Sequence, residues 1–269
     1  MGISEVTVRC LGDFGLHVDG TPVNGWRAGK ARNLFQYLLM NRGRLVRRET
    51  LFETLWPDGE WSPSTSLLKV AMHSVRRTLE QAGISAARFV DVVSRDHGYL
   101  LRTGDGIRID LDEFDASMAA GRAAEARGDH AVAVAAYGRA AELYVGDFLA
   151  AESADWITAH RQCYRTLVLY ALTYLRADAL RRGDHAAVIE LCRRILEIDP
   201  YHEEMYQTLM LLHGQRGELG QVRNWHRLCV QRLRDDLELP PSETTRRIFH
   251  RAVRGELRSP APAIAGSVA

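Results

Sequence analysis

The sequence predicts an α+β unit at the N-terminus followed by an all-α array of helix pairs. Three observations carry that expectation. Short alternating apolar runs broken by Gly-Asp and Asp-Gly fill the first two dozen residues, apolar residues recur at helical spacing from Gly29 onward, and a short phrase repeats through the second half. At 269 residues the chain has room for two domains. With 46% hydrophobic and 26% charged residues it can bury a core in each, which excludes globally disordered and fibrous classes.

In chain order, Val6–Leu11, Phe14–Val18 and Thr21–Val23 read as a small antiparallel sheet. Leu34, Phe35, Leu38 and Leu39 give a first helix its apolar face, and Gly43 offers the left-handed residue that ends it. Leu51, Phe52, Leu55 and Trp56 do the same for a short second helix from Arg48, stopped by Pro57. A turn-rich loop, Pro57–Thr65, precedes a third helix built on Leu68, Met72, Val75 and Leu79 and running to Gly83. Arg88–Val93 and Tyr99–Arg102 form a hairpin joined by Ser94–Gly98. This order is that of a winged helix-turn-helix over residues 1–103, a DNA-binding architecture whose last helix enters the major groove while the hairpin reaches the backbone or minor groove.

After Asp110 no strand signal survives. Arg127-Gly-Asp-His-Ala-Val132 and Arg182-Gly-Asp-His-Ala-Ala-Val188 are nearly one phrase, and Arg216-Gly-Glu-Leu-Gly-Gln-Val222 is a looser third copy. Gly183 and Gly217 are 34 residues apart, the period of tetratricopeptide helix pairs, and Ile198-Asp-Pro200 falls between units. The 55 residues from Gly128 to Gly183 make the first copy irregular. Residues 104–257 are therefore expected to form an all-α tetratricopeptide-like repeat domain, and 258–269 a disordered tail.

Charge is unevenly divided. Residues 1–103 hold 14 Lys+Arg against 10 Asp+Glu, a net +4, whereas 104–269 hold 21 against 24, a net −3. Seven basic residues and no acid lie between Arg27 and Arg48, which reads as an electrostatic footprint for phosphate. On the third helix Ser66, Lys69, His73, Arg76 and Arg77 lie opposite the apolar face, with no acid before Glu80, and are candidates for base edges and phosphates. Arg44, Arg47 and Arg48 precede or open the second helix, whose first amides also face an anion, and so suit a phosphate clamp. For Arg95 and His97, at the hairpin tip, DNA contact and plain solvation fit equally. In the loop, Trp61 amid Asp58 and Glu60 suits either a contact with a basic polymerase surface or a fold-back over the core.

Other chemistry reads poorly. Gly25-Trp-Arg-Ala-Gly29-Lys30-Ala31 looks like a phosphate loop, but it has three residues between its glycines instead of four, and Ala31 where a hydroxyl should bind magnesium. His226 and Cys229 could share a helix face but lack a third ligand. Asp235-Asp236 and Glu203-Glu204 read as solvent faces. Cys10, Cys163, Cys192 and Cys229 form no CxxC pair and are expected to be small core residues. No enzyme activity, metal or cofactor is expected. The longest uncharged apolar stretch, Thr166–Leu175, has ten residues where a bilayer needs ~20. The N-terminus shows no basic-then-apolar order. A cytoplasmic protein without membrane contact is expected.

The order Leu11-Gly-Asp-Phe14, Gly43-Arg-Leu-Val-Arg-Arg48, Leu55-Trp-Pro57, Val75-Arg-Arg-Thr-Leu79 and Gly98-Tyr-Leu-Leu101 resembles the response-regulator-type winged helix of the SARP family of bacterial activators. Asp110-Leu-Asp-Glu-Phe114, Tyr144-Val-Gly-Asp-Phe-Leu149, Asp155-Trp156 and Leu239-Pro-Pro-Ser-Glu-Thr244 are similar to the bacterial transcriptional activation domain that follows it. The likeness runs over about residues 5–255. It implies an activator that binds direct repeats in double-stranded promoter DNA, as a homodimer, and recruits RNA polymerase through its sigma or alpha subunit. The residues leave open a repressor or ligand-sensing regulator with the same DNA chemistry, or a helical protein–protein scaffold.

Overall fold

The computed structural model describes residues 5–26, 29–59, 62 and 66–258. The chain divides into two compact units, residues 1–127 with 139–167, and residues 128–138 with 168–269. The expected class holds: a winged helix-turn-helix, then helices.

In the first unit β1 (Val6–Arg9), β2 (Gly15–Val18) and β3 (Thr21–Pro22) form the expected antiparallel sheet. The helix α1 (Gly29–Met40) is followed by β4 (Leu45–Arg47), α2 (Arg48–Leu55), α3 (Leu67–Gln81) and the hairpin β5 (Val90–Arg95)–β6 (Gly98–Thr103). A strand the sequence did not announce, β7 (Ile107–Ile109), adds to β1 in parallel, giving the order β3-β2-β1-β7. Another unannounced strand, β4, occupies the Arg44–Arg48 run read as leading into the second helix, and makes a second sheet of order β4-β6-β5. Both are three residues long, too short to show alternation. Gly98 lets β4 approach: a Cβ there would lie 2.2 Å from the Val46 carbonyl oxygen. The hairpin closes in two residues, Asp96 and His97, because Ser94 and Arg95 pair with Tyr99 and Gly98. Leu34, Phe35, Leu38, Leu51, Phe52, Leu55, Leu68, Met72, Val75, Leu79 and Leu101 are buried in one core.

The helical residues that follow complete this unit. From the loop between α5 (His130–Leu143) and α6 (Asp155–Arg181), Phe148 bridges Leu11 and Gly12. Gly12 donates its N–H to the Asp147 carbonyl (3.0 Å), Leu149 to Cys10 (2.8 Å) and Ala150 to Gly12 (3.0 Å). Gly12 has φ +110°, and a Cβ there would meet Val145 at 2.9 Å. At the start of α4 (Asp110–Ala126), the Asp110 carboxylate accepts the N–H groups of Cys10 and Leu11 at 2.8 Å each. Burial pushes its pKa up, against the downward pull of those amides. Asp147 holds the loop from below, accepting from Tyr144 Oη (2.9 Å) and Arg165 Nε (2.6 Å). The Arg165 bond keeps its pKa below the usual carboxylate range.

In the second unit α7 (His185–Ile198), α8 (Glu203–Gln215), α9 (Leu219–Leu237) and α10 (Glu243–Val253) pack as successive antiparallel neighbours, with α10 against both α8 and α9. The repeated phrases are inter-helix turns: Gly128, Gly183 and Gly217 all have φ near +70°. The first interval is longer because α6 has 27 residues where α8 has 13, and a loop precedes it. Two expectations are corrected. Glu203 is not on a solvent face, since it accepts the Ser242 N–H (3.0 Å) and hydroxyl (2.8 Å), whereas Glu204 is exposed as expected but pairs with buried Arg176 (2.5 Å). Cys163 is exposed on α6, so only Cys10, Cys192 and Cys229 are core residues.

Because the native pKa of Asp147 is lowered, its stabilisation is present above the unfolded-state carboxylate pKa and disappears as pH falls through the native value. Asp147→Asn should lower the melting temperature by several degrees at pH 7, on the scale of about 1–3 kcal/mol for a charge-assisted hydrogen bond. The gap to wild type should narrow as pH falls below the usual carboxylate range, as read by thermal melts across pH.

Candidate nucleic-acid interface

The apolar stripe of α3 sets what its other side can offer. Leu68, Ala71, Met72, Val75, Thr78 and Leu79 face the core, so Ser66, Val70, His73 and Arg77 form the outer row. Lys69 flanks that row; Ser66, Lys69, His73 and Arg77 are exposed. Arg76 lies at the edge, half-buried, and donates to the Val92 carbonyl at 3.2 Å. It therefore braces α3 against β5 as well as presenting charge. Val70, which sequence reasoning passed over, is 64% exposed in the middle of the row. Its apolar type gave no signal for a surface role.

The other candidates separate into two kinds. Arg44 and Arg47 are exposed beside β4, and Arg95 and His97 are exposed at the hairpin tip. Arg48 is built in. Its N–H donates to the His97 carbonyl (2.9 Å), and its guanidinium lies over the Tyr99 ring at 5.5 Å, with the Arg95 carbonyl 3.4 Å away. It ties α2 to the hairpin. Asp58 is exposed just after α2. Glu60 and Trp61 lie outside the described residues, as do Arg27 and 259–269.

The basic run at Arg27–Arg48 is only partly outward. Arg32 pairs with Glu152 (2.8 Å), and Arg42 pairs with Asp112. Lys30 is bonded to the Leu55 carbonyl and sits 5.7 Å from the Trp56 ring centre. Those three cations serve intramolecular contacts, Lys30 while still exposed; Arg44 and Arg47 are exposed as well. His226 stacks on Phe249 with ring centres 3.8 Å apart. Among the described residues no group of three His, Cys, Asp or Glu side chains is placed to hold a metal, and no helix is long and apolar enough to cross a membrane.

Arg48→Ala and Arg76→Ala should each lower the melting temperature by a few degrees, reflecting roughly 1 kcal/mol of lost stacking or hydrogen bonding. Arg47→Ala and Arg77→Ala should melt like wild type. Equal melting of all four variants would refute this division.

Comparison with known proteins agrees with the architecture. The family described as "Bacterial transcriptional activator domain" matches residues 109–254, and that described as "Transcriptional regulatory protein, C terminal" matches residues 26–101. Transcriptional regulatory protein MoaR1 of Mycobacterium tuberculosis is 26% identical over 93% of this chain and 79% of its own length. Regulatory protein DnrI of Streptomyces peucetius is 26% identical over 93% and 92%. The solved structure of Mycobacterium tuberculosis EmbR in complex with a low affinity phosphopeptide superposes with a TM-score of 0.65 at 24% identity, which is a likeness of fold. It covers 93% of this chain, which spans 65% of that one. These relatives are transcriptional regulators by name, and no catalytic family is indicated.

Proposed function

The chain belongs to the SARP family of bacterial transcriptional regulators, and from that premise we propose that it is an activator that binds direct repeats beside a promoter and recruits RNA polymerase. DNA contact is assigned to the winged helix of residues 1–103. The observation that carries this reading is the outer row of α3, exposed and free of acids up to Glu80, together with exposed Arg44 and with Arg47 paired opposite Gly98 at the tip of the β5–β6 hairpin. Lys69 and His73 reach base edges from the first half of the helix, where Lys offers donors to guanine and His offers one donor or acceptor. Arg44, Arg47, Arg77 and Arg95 take phosphates, Ser66 and His97 add hydrogen bonds at the two ends, and Arg48 and Arg76 hold the frame.

Residues 104–257 serve pairing of two copies on adjacent repeats. Their net −3 charge suits a protein contact better than a second DNA site. Contact with the sigma or alpha subunit of RNA polymerase is assigned to Asp58, Glu60 and Trp61, in the loop leading into α3. No cofactor is required for either step.

With four outward arginines per copy on phosphates, log affinity of the full chain should fall with log salt at a slope of about −3 to −4 per copy. Arg47→Ala should make that slope shallower by about 1. Arg32→Ala, which removes a partner of Glu152, should leave the slope unchanged. A wild-type slope near zero would favour the scaffold reading instead. Substituting Asp58, Glu60 and Trp61 together by Ala should preserve operator binding and abolish stimulation in a purified transcription assay. Full stimulation would rule out that loop as the polymerase contact.

A further inference from the structure

Val70 stands out on the outer row of α3. Its side chain is 64% exposed, and Leu67, one turn earlier, is 49% exposed. Ser66, Val70, His73 and Arg77 follow one another at steps of four, three and four, so Val70 points outward in line with the polar members of the row. Folding gives such a residue nothing: valine is a weaker helix former than Lys, Glu or Ala, and apolar surface left in water contributes no burial energy. The side chain gains only when a partner covers it.

Resting on the DNA-binding reading above, we infer that Val70 packs against the C5 methyl group of a thymine in the major groove and discriminates bases at that position. Among the unmodified bases thymine alone presents a methyl group on that edge. A β-branched side chain has its two methyl groups held in one rotamer on a helix, so little freedom is lost on contact. His73 and Ser66, one turn to either side, and Lys69 beside them can engage neighbouring edges, while Arg77 brings the helix against the phosphates. A protein partner is the other occupant to consider. The cations around Val70, and the lack of any acid on α3 before Glu80, favour a polyanion.

The test uses the full chain and an operator duplex that it enriches from a randomised pool, with each thymine replaced singly by uracil, which lacks only the methyl group. At one or two positions per repeat the wild-type Kd should rise about fourfold, the worth of one methyl-sized apolar contact. Val70→Ala, confirmed folded by melting, should bind the thymine operator about fourfold more weakly and be indifferent to uracil at those positions. Val70→Thr, which keeps one methyl group, should retain part of the response. Uracil substitutions that leave wild-type affinity unchanged at every position would overturn the inference while leaving DNA binding intact. So would a Val70→Ala variant that responds to uracil as wild type does. Loss of transcription stimulation by Val70→Ala with normal affinity would overturn it in favour of a polymerase-facing side chain. A pool from which no sequence is enriched would overturn the DNA-binding reading, and this inference with it.

Discussion

The pairing of Cys10–Gly12 with Asp147–Ala150 is the constraint on which the first unit depends. Two backbone segments more than 130 residues apart exchange three hydrogen bonds, and Phe148, fully buried, is the wedge between them. Gly12 makes the approach possible through its positive φ and its missing Cβ. Asp110 satisfies the N–H groups of Cys10 and Leu11 with a carboxylate, where buried amides without partners would each cost on the order of 1–3 kcal/mol. The neighbouring residues extend the same junction. Glu152 reaches Arg32 and Gln36, and the Trp156 indole donates to Asn33 at 2.9 Å while its ring meets Tyr37 edge-on. All four partners lie on α1, which packs directly against α3. The helix with the outward basic row is thus held on a support that residues after 104 help to build.

That junction also explains why a basic run overstates a phosphate-binding surface. A cation on α1 or just after it can face outward or be taken up by an acid from the residues that follow 104. Arg32 and Arg42 are taken up, and each ion pair fixes the junction at the expense of the external field. Arg48 and Arg76 are a third category, half-buried, with guanidiniums used against the Tyr99 ring and the Val92 carbonyl. In the linear sequence all of these arginines look alike.

The helical region obeys a simpler rule. Each repeated Arg-Gly-Asp/Glu phrase ends one helix with a left-handed glycine and starts the next, and at Asp184 the side chain caps the Ala187 N–H at 3.0 Å. Because a turn of this kind is local, the phrase identifies it wherever it occurs. The length of helix between turns is not local, and α6 departs from the 34-residue period without disturbing the turns. Around the segment Leu239–Thr244, Glu238 adopts φ +56° to end α9 and Ser242 caps α10, while Glu203 of α8 ties Ser242 down from a distance.

By itself the sequence determined the class and order of the elements, the helix-ending roles of Gly43 and Gly83, the 34-residue repeat of the Gly183 and Gly217 phrases, the apolar faces of the first three helices, the exposure of Lys69, His73 and Arg77, and the family resemblance. Each follows from period, turn chemistry or short motifs, which are properties of neighbouring residues. Only the tertiary structure decided that β4 and β7 exist, since a three-residue strand is defined by its partner and not by its own pattern. It alone sorted the arginines into braces, ion pairs and outward cations, turned Glu203 into an acceptor at the start of α10, gave the exposed Glu204 a buried partner in Arg176, and left Val70 bare among polar neighbours. Those outcomes depend on which distant groups the fold brings within a few ångströms, and charge or hydropathy along the chain carries no record of that distance.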